Sequence, residues 1–407
     1  MVVDFPLEIV STFLGYLNDD TLARDDHLLR CCLVSRSWCS IAQPLLFSAV
    51  RMRAPKRNSE EMIQIFRKTL EESPHTRKYI QTLSIEIQDA TPITPLLRLV
   101  NDLRCLRFSF SPFMRIPSLP PDLLLSVPNL FQSERFTSLS LKRVRNVPVG
   151  LFAHCVALQE LALSRVTFTG LAEFPPETDA PRPQLRALVL FNIFWDEMAI
   201  LSWLTDPRCS FNLSNLTTFI AMDRSGSLQV YQKICEFVSF VSGSLENMLL
   251  DLPTDGTSQL SGMLQVDRLR NLRSISIWLL QDVEDSVNLL PPILDILKRL
   301  PNPGLLEKVE LPSSFHSSGV LNEVLLSVDT MHSQGWSEFD SILGSSAFHS
   351  LRSVEITAYT VPDVPTGLQY IGLFTSALPA LFESGKLRIE TTTVDLYVSR
   401  QEEVWFA

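Results

Sequence analysis

"LQELAL" at 158–163 and "LRALVL" at 185–190 decide how this chain is organised. Both read Leu-x-x-Leu-x-Leu. In extended backbone the side chains alternate between faces, so the fourth and sixth positions point the same way and the fifth points the other. The same phase returns as "IQTLSI" (80–85), "LRCLRF" (103–108), "FTSLSL" (136–141), "LTTFIA" (216–221) and "LENMLL" (245–250). It continues as "LRSISI" (272–277), "LEKVEL" (306–311) and "LRSVEI" (351–356). Start-to-start spacings run 23, 33, 22, 27, 31, 29, 27, 34 and 45.

A short strand with one apolar face cannot bury that face alone, but a stack of them can. A leucine-rich-repeat solenoid accounts for the pattern. A set of ordinary buried strands in an α/β domain is the plainer account, and parallel strands alternating with helices follow either way. Four of the nine spacings exceed the ~20–29 residues of a regular repeat, and the asparagine that often follows the strand is mostly missing. Variable helices and loops are therefore expected between the strands. Amphipathic segments at 60–72, 229–242 and 292–300 are the helix candidates. In the second, Val230, Ile234, Phe237, Val238 and Val241 keep helical spacing. Proline-rich stretches at 109–121, 170–184 and 361–367 read as surface loops, and the run 312–350 needs a helix of its own around "GVLNEVLLSVDTM".

The amino terminus has a different texture. "DFPLEIVSTFLGYL" puts Pro6 near a helix start, with Asp4 as its cap and an apolar face through Ile9, Phe13, Leu14 and Leu17. "HLLRCCLV" and "SRSWCSIAQPLLF" supply two more short helices, the third lined by Trp38, Ile41, Leu45 and Leu46. Three helices in about 45 residues leave apolar surface that must pack on the following domain or on a partner.

These residues resemble the F-box motif, which begins Leu-Pro-x-Glu-Ile and closes Leu-Val-x-x-x-Trp. Phe5 stands at the leading leucine; Pro6, Glu8, Ile9, Leu14, Leu17, Leu28, Leu33, Val34 and Trp38 fall on matching positions. The link from Leu17 to Leu28 is longer than usual. With the repeats behind it, the chain resembles an F-box/leucine-rich-repeat protein of the irregular kind common in fungi. That resemblance implies a substrate receptor of an SCF-type (cullin-RING) ubiquitin ligase. The F-box would bind a Skp-type adaptor, and through it a cullin, through Pro6, Ile9, Leu14, Leu17, Val34 and Trp38. The alternative for each residue is internal core of the three-helix unit. The expected architecture is α/β: a three-helix F-box at 1–50, a linker helix at 51–77 and an irregular repeat domain at 78–407. A second reading of the same layout is a protein-interaction scaffold whose amino-terminal helices only cap the repeats.

Charge and motif content narrow the function classes. A net charge of -10 argues against a general nucleic-acid binder. From Arg30 to Arg57 there are nonetheless six basic residues and no acidic one, either a solvated linker or a steering patch for an acidic partner. "MVVDFPLEIV" lacks the basic flank and apolar run of a signal peptide, and no stretch reaches the ~18 apolar residues of a membrane span. The expected compartment is the cytoplasm or nucleus, with the seven cysteines reduced. Cys31 and Cys32 lack Cys-x-x-Cys spacing and read as small packed thiols, not as metal or redox ligands. With 14 glycines, no phosphate-cradling motif, and six scattered histidines, the sequence offers no catalytic residue, metal ligand or cofactor site.

Target capture is expected on strand positions facing away from the leucines. In the middle repeats these are Val189, Phe191, Ile220, Met222, Leu249 and Trp278. An apolar stripe there is either a binding patch or is covered by helices or a carboxy-terminal tail.

Overall fold

The computed structural model describes residues 10, 24–53, 59–87, 93–110, 128–170, 182–192, 198–222, 227–252, 262–279, 290–313, 331, 335–359 and 367–392. The chain forms two compact units, divided after Leu158. The helix expected over residues 4–17 lies outside the described residues except for Val10, which is helical and buried. The helix expected around 319–331 and most of the three proline-rich stretches lie outside them too.

The first unit opens with helices Arg24–Cys32 and Arg36–Ser48. Ser35 stops one and starts the other. Its backbone is extended (φ -160, ψ 168) and its hydroxyl accepts from the Trp38 N–H at 3.2 Å, satisfying one of the orphan donors at the helix start. The second helix runs straight into strand β1 (Ala49–Arg53), followed by helix Ser59–Glu72, where residues 60–72 were expected to be helical. Strands β2 (Thr82–Ile87), β3 (Cys105–Phe110) and β4 (Ser138–Lys142) complete a parallel sheet in the order β1-β2-β3-β4. The repeat phase sets its register. Val50, Leu83, Leu106 and Leu139 are direct neighbours, as are Met52, Ile85, Phe108 and Leu141. Leading residues Ile80, Leu103 and Phe136 are fully buried. The two-residue strand β5 (Val147–Pro148) follows.

The second unit is a parallel sheet of β6 (Glu160–Ser164), β8 (Ala187–Phe191), β9 (Thr218–Met222), β10 (Asn247–Leu252), β11 (Ser274–Leu279), β12 (Lys308–Ser313), β13 (Ser353–Tyr359) and β14 (Leu387–Thr392). The two-residue β7 (Phe168–Thr169) lies outside that sheet. One ladder runs Leu161, Leu188, Phe219, Met248, Ile275, Val309, Val354, Leu387. All but Leu387, at the end of the ladder, are buried. The second motif position forms a spine of backbone bonds. Arg186 N–H donates to Gln159 O, Thr217 to Arg186, Glu246 to Thr217, Arg273 to Glu246, Glu307 to Arg273 and Arg352 to Glu307, all at 2.7–2.9 Å. Side chains on that spine alternate in charge: Arg273 Nη1 lies 2.7 Å from Glu307 Oε1, and Arg352 Nη1 3.4 Å from Glu307 Oε2. Exposed pairs of this kind contribute little each; the backbone register is the stronger constraint.

The helices between strands are amphipathic as their spacing requires. Helix Leu228–Val241 buries Val230, Ile234, Phe237, Val238 and Val241 together with Tyr231 and Cys235. Helix Leu290–Arg299 occupies the 292–300 segment. Further on, helix Trp336–Gly344 places the buried Asp340 carboxylate on the start of helix Pro379–Glu383, where it accepts from the Ala380 and Leu381 N–H groups at 2.9 Å each. Three strands leave their sheets through a left-handed residue in the eighth motif position: Arg143 (φ 59) after β4, Arg165 (φ 55) after β6 and Asn192 (φ 52) after β8. Asparagine accepts this conformation; arginine is strained in it.

Four strands among the described residues were not anticipated: the two-residue β5 and β7, and the longer β1 and β14. β1 belongs to "FSAVRM" (47–52) and β14 to "SGKLRI" (384–389), each in phase with the others. In β1 none of the three motif leucines is present (Phe47, Val50, Met52), and the β14 copy opens on the polar Ser384. The strand at 49–53 crosses the boundary expected between a helical module ending at 50 and a linker beginning at 51.

Candidate functional site

The helical pair is held by a small core of Val10, Leu28, Cys31 and Ala42, against which Cys32, Trp38, Ile41, Leu45 and Leu46 pack half-buried. Leu28 and Cys31, three apart, share the inward face. Leu29 and Leu33, four apart, share the outward one. The turn closes tightly, Leu33 N–H donating to Arg30 O at 3.1 Å and Val34 N–H to Cys31 O at 3.2 Å. It leaves Leu29, Leu33 and Val34 at 53, 80 and 63% exposure. Arg30 and Arg36 stand exposed on either side.

Of the adaptor-contact residues expected from sequence, Pro6, Ile9, Leu14 and Leu17 lie outside the described residues. Val34 faces solvent and Trp38 packs partly on the core. Between the alternatives of internal core and outward surface, the structure therefore puts Val34 outside and Trp38 between. Leu29 and the more exposed Leu33 accompany Val34. Leu33 was counted only as a motif match, but its i, i+4 spacing from Leu29 was the available signal.

The six expected target-contact residues are brought together but not presented. Val189, Ile220 and Leu249 are register neighbours on adjacent strands, as are Phe191 and Met222; Trp278 neighbours Asp251. They occupy the sheet face opposite the leucine ladder, yet all are buried, Val189 completely and Ile220 most exposed at 9%. Of the two readings of this stripe, bare patch or covered, its burial fits the covered one.

The same face opens and changes chemistry farther along. In the fifth motif position the row reads Ala162, Val189, Ile220, Leu249, Ser276, Glu310, Glu355 and Arg388. It passes from apolar to charged. Lys308 Nζ bridges Glu310 and Glu355, the latter at 2.9 Å, and Arg388 Nη1 lies 3.6 Å from Glu355 Oε1. Partial burial works against the Lys308 charge, but hydrogen bonds to the two carboxylates outweigh it and raise its pKa. The sequence reading missed this face, although the charges in "LEKVEL" and "KLRIE" were its signal.

A depression of about 770 Å³ in the second unit lies among Arg182, Leu204, Phe211, Asn212 and Phe240. Its rim is largely paired internally: Arg182 donates to Pro207 O at 2.8 Å, and Asn215 Nδ2 donates to Gln184 Oε1 at 2.8 Å. Phe240 stands 59% exposed beside it. Among the described residues no cluster of His, Cys, Asp or Glu is arranged to hold a metal ion, and no helix is long and apolar enough to cross a membrane.

No protein-family model and no curated protein matches this sequence. Among solved structures, an internalin from Listeria monocytogenes is similar over 82% of this chain and 76% of its own, at 11% identity and a TM-score of 0.36. A likeness that coarse adds nothing to the strand registers, which establish the parallel α/β repeat arrangement within each unit.

Proposed function

We propose that this chain is a non-enzymatic substrate receptor of an SCF-type ubiquitin ligase in the cytoplasm or nucleus. Its amino-terminal helices dock a Skp-type adaptor that links it to a cullin, and its repeats hold a protein target. The observation that carries the reading is the outward cluster Leu29, Leu33 and Val34 on a small helical pair. Covering a fully exposed leucine or valine gains about 1.5–3 kcal/mol, so a partner surface recovers what the hairpin leaves in water. The flanking Arg30 and Arg36, in a run free of acidic residues, favour a partner with an acidic rim.

The mechanism is positional: the receptor raises the local concentration of target lysines near a conjugating enzyme held elsewhere in the assembly. Target capture falls to open surfaces such as the charged face of β12–β14 or the depression beside Phe240. Contact by Val189, Phe191, Ile220, Met222, Leu249 or Trp278 requires their cover to be displaced. The test is a binding titration of the full chain with a purified Skp-type adaptor, wild type against Leu33→Asp/Val34→Asp. Because both side chains are exposed, the variant keeps its fold. A loss of at least about tenfold is expected, the two buried contacts being worth more than 1.4 kcal/mol. Equal binding of the two proteins refutes the surface.

A second reading has its own support. Helix Arg36–Ser48 continues directly into β1, and its Ser48 carbonyl accepts from Gln81 N–H at 3.0 Å. That continuity suits a cap that seals the first strand of a protein-interaction scaffold. Deleting residues 1–48 separates the two readings. If the repeats unfold and the intact chain binds no adaptor, the cap is the function of these helices.

A further inference from the structure

The surfaces assigned so far leave one sheet face of the first unit unused. Opposite the leucine side of β1–β4, two rows of residues cross the strands. Arg51, Ser84, Arg107 and Ser140 are register neighbours in one; Glu86, Ser109 and Lys142 lie in the next. The matching row of the second sheet holds Val189, Ile220 and Leu249, all buried. Here no apolar residue occurs. Arg51 is exposed, and Ser84, Glu86, Arg107, Ser109 and Lys142 are half-buried. Three cations thus share the face with one acid, in a chain whose net charge is -10. Each of the three also makes a contact within the chain, which keeps its charge close to the sheet.

Ser140 supplies an independent sign of a ligand. It lies between Leu139 and Leu141 of the leucine side, so its own side chain points to the opposite face. It is 2% exposed, and its hydroxyl has no hydrogen-bond partner among the described residues. A buried hydroxyl in that state has given up water and gained nothing in exchange. Its register neighbour is Arg107. An acceptor drawn to the guanidinium reaches this hydroxyl once neighbouring side chains change rotamer, a common adjustment on binding.

We propose that this face binds an extended peptide segment with acidic residues at alternate positions. Neighbouring strands lie about 4.8 Å apart and alternate residues of one strand about 6.6 Å, so Arg107 and Lys142 start roughly 8 Å from each other. Side chains on one side of an extended peptide recur every ~6.6 Å, and two successive carboxylates therefore meet the two cations. Arg107 takes one carboxylate as a fork, joined by the Ser140 hydroxyl; Lys142 takes the next as a point charge. Ser84 and Ser109 are short enough to leave room for the peptide and add further donors. A duplex nucleic acid is disfavoured, because the overall negative charge of the chain opposes a dense polyanion. A short acidic segment feels mainly the local surplus, within a screening length of about 8–10 Å. That the segment belongs to a ubiquitination target rests on the receptor reading; its binding does not.

The experiment is fluorescence anisotropy of the full chain at low salt with a labelled peptide, Glu-Ser-Glu-Ser-Glu-Ser. Gln-Ser-Gln-Ser-Gln-Ser and a short DNA duplex are the competitors. The glutamate peptide is expected to bind at least about tenfold more tightly than the glutamine peptide. Arg107→Gln/Lys142→Gln should lose at least about tenfold and Ser140→Ala at least about threefold. Lys68→Gln, exposed on a helix of the same unit, should lose nothing. Unfolding midpoints are read alongside. Should the double variant fail to fold, Ser140→Ala decides alone, and wild-type affinity there overturns the proposal. Equal binding of the two peptides, or of one peptide by wild type and a folded double variant, also overturns it. Tighter binding of the duplex than of the glutamate peptide replaces the peptide as occupant. A chain that binds the peptide but no Skp-type adaptor loses the receptor reading and keeps this face.

Discussion

Leu33 and Leu188 are the same residue in opposite circumstances. Leu33, in the turn of the helical pair, is 80% exposed; Leu188, in the middle of the second sheet, is completely buried. Leu188 has Leu161 on one side and Phe219 on the other, and its neighbours repeat the arrangement across eight strands. In a stack of repeats each unit closes the next, so the apolar face is consumed internally. The two short helices are not units of such a stack, and their outward leucines stay in water. Apolar surface left over in this protein therefore marks where the chain is short of its own partners, not where it is richest in leucine.

The contrast can be broken experimentally, and the largest effect should come from the sheet. Leu188→Ala leaves a cavity between two ladder neighbours and is expected to cost about 2–5 kcal/mol in denaturant unfolding. Leu33→Ala should stay within about 0.5 kcal/mol. Similar losses at the two sites would mean that the hairpin leucine is packed after all.

Next in size is the long-range cap. Asp340→Ala removes the acceptor for two backbone N–H groups of helix Pro379–Glu383 and should cost about 1–3 kcal/mol. The loss should show first as earlier hydrogen exchange at Ala380 and Leu381. If those two amides stay protected, the carboxylate is not their working acceptor.

The alkaline limb of stability should show the buried thiols of the second unit. The folded chain holds Cys235 up to about 12, against an ordinary value of 9.0, because burial disfavours the thiolate. Its contribution is complete below pH 9 and is lost as pH rises toward 12, because the unfolded chain releases the proton first. Cys235→Ala should accordingly flatten the fall in stability between pH 9 and 12, and parallel curves would rule this out. Lys308, raised by its carboxylate partners, adds a smaller loss in the same direction above its ordinary range.

The smallest effect is a gain. Arg165 holds a left-handed backbone after β6, where glycine carries no side-chain penalty. Arg165→Gly is expected to stabilise by up to about 1 kcal/mol, read as a raised unfolding midpoint. A loss instead would show that the arginine side chain offsets its own strain.

Much of this could be read before any coordinates. All ten motif copies fell on strands in the expected phase, and the helix faces at 230–241 followed from 3.6-residue spacing. Both signals are local: period and residue type fix which way a side chain points. β1 escaped because Phe47, Val50 and Met52 replace all three leucines, and β14 because its copy opens on Ser384, although Val50 and Leu387 keep the register.

By itself, then, the sequence determined the repeat, the phase of each strand and the side that carries the leucines. Those depend only on backbone geometry and the cost of wetting apolar atoms. Tertiary structure alone decided which apolar residues are covered. Val189 and Val34 read alike in sequence; one has strands on both sides and no exposure, the other caps a turn and stands 63% exposed. Burial is set by neighbours distant in sequence, and no local pattern reports them.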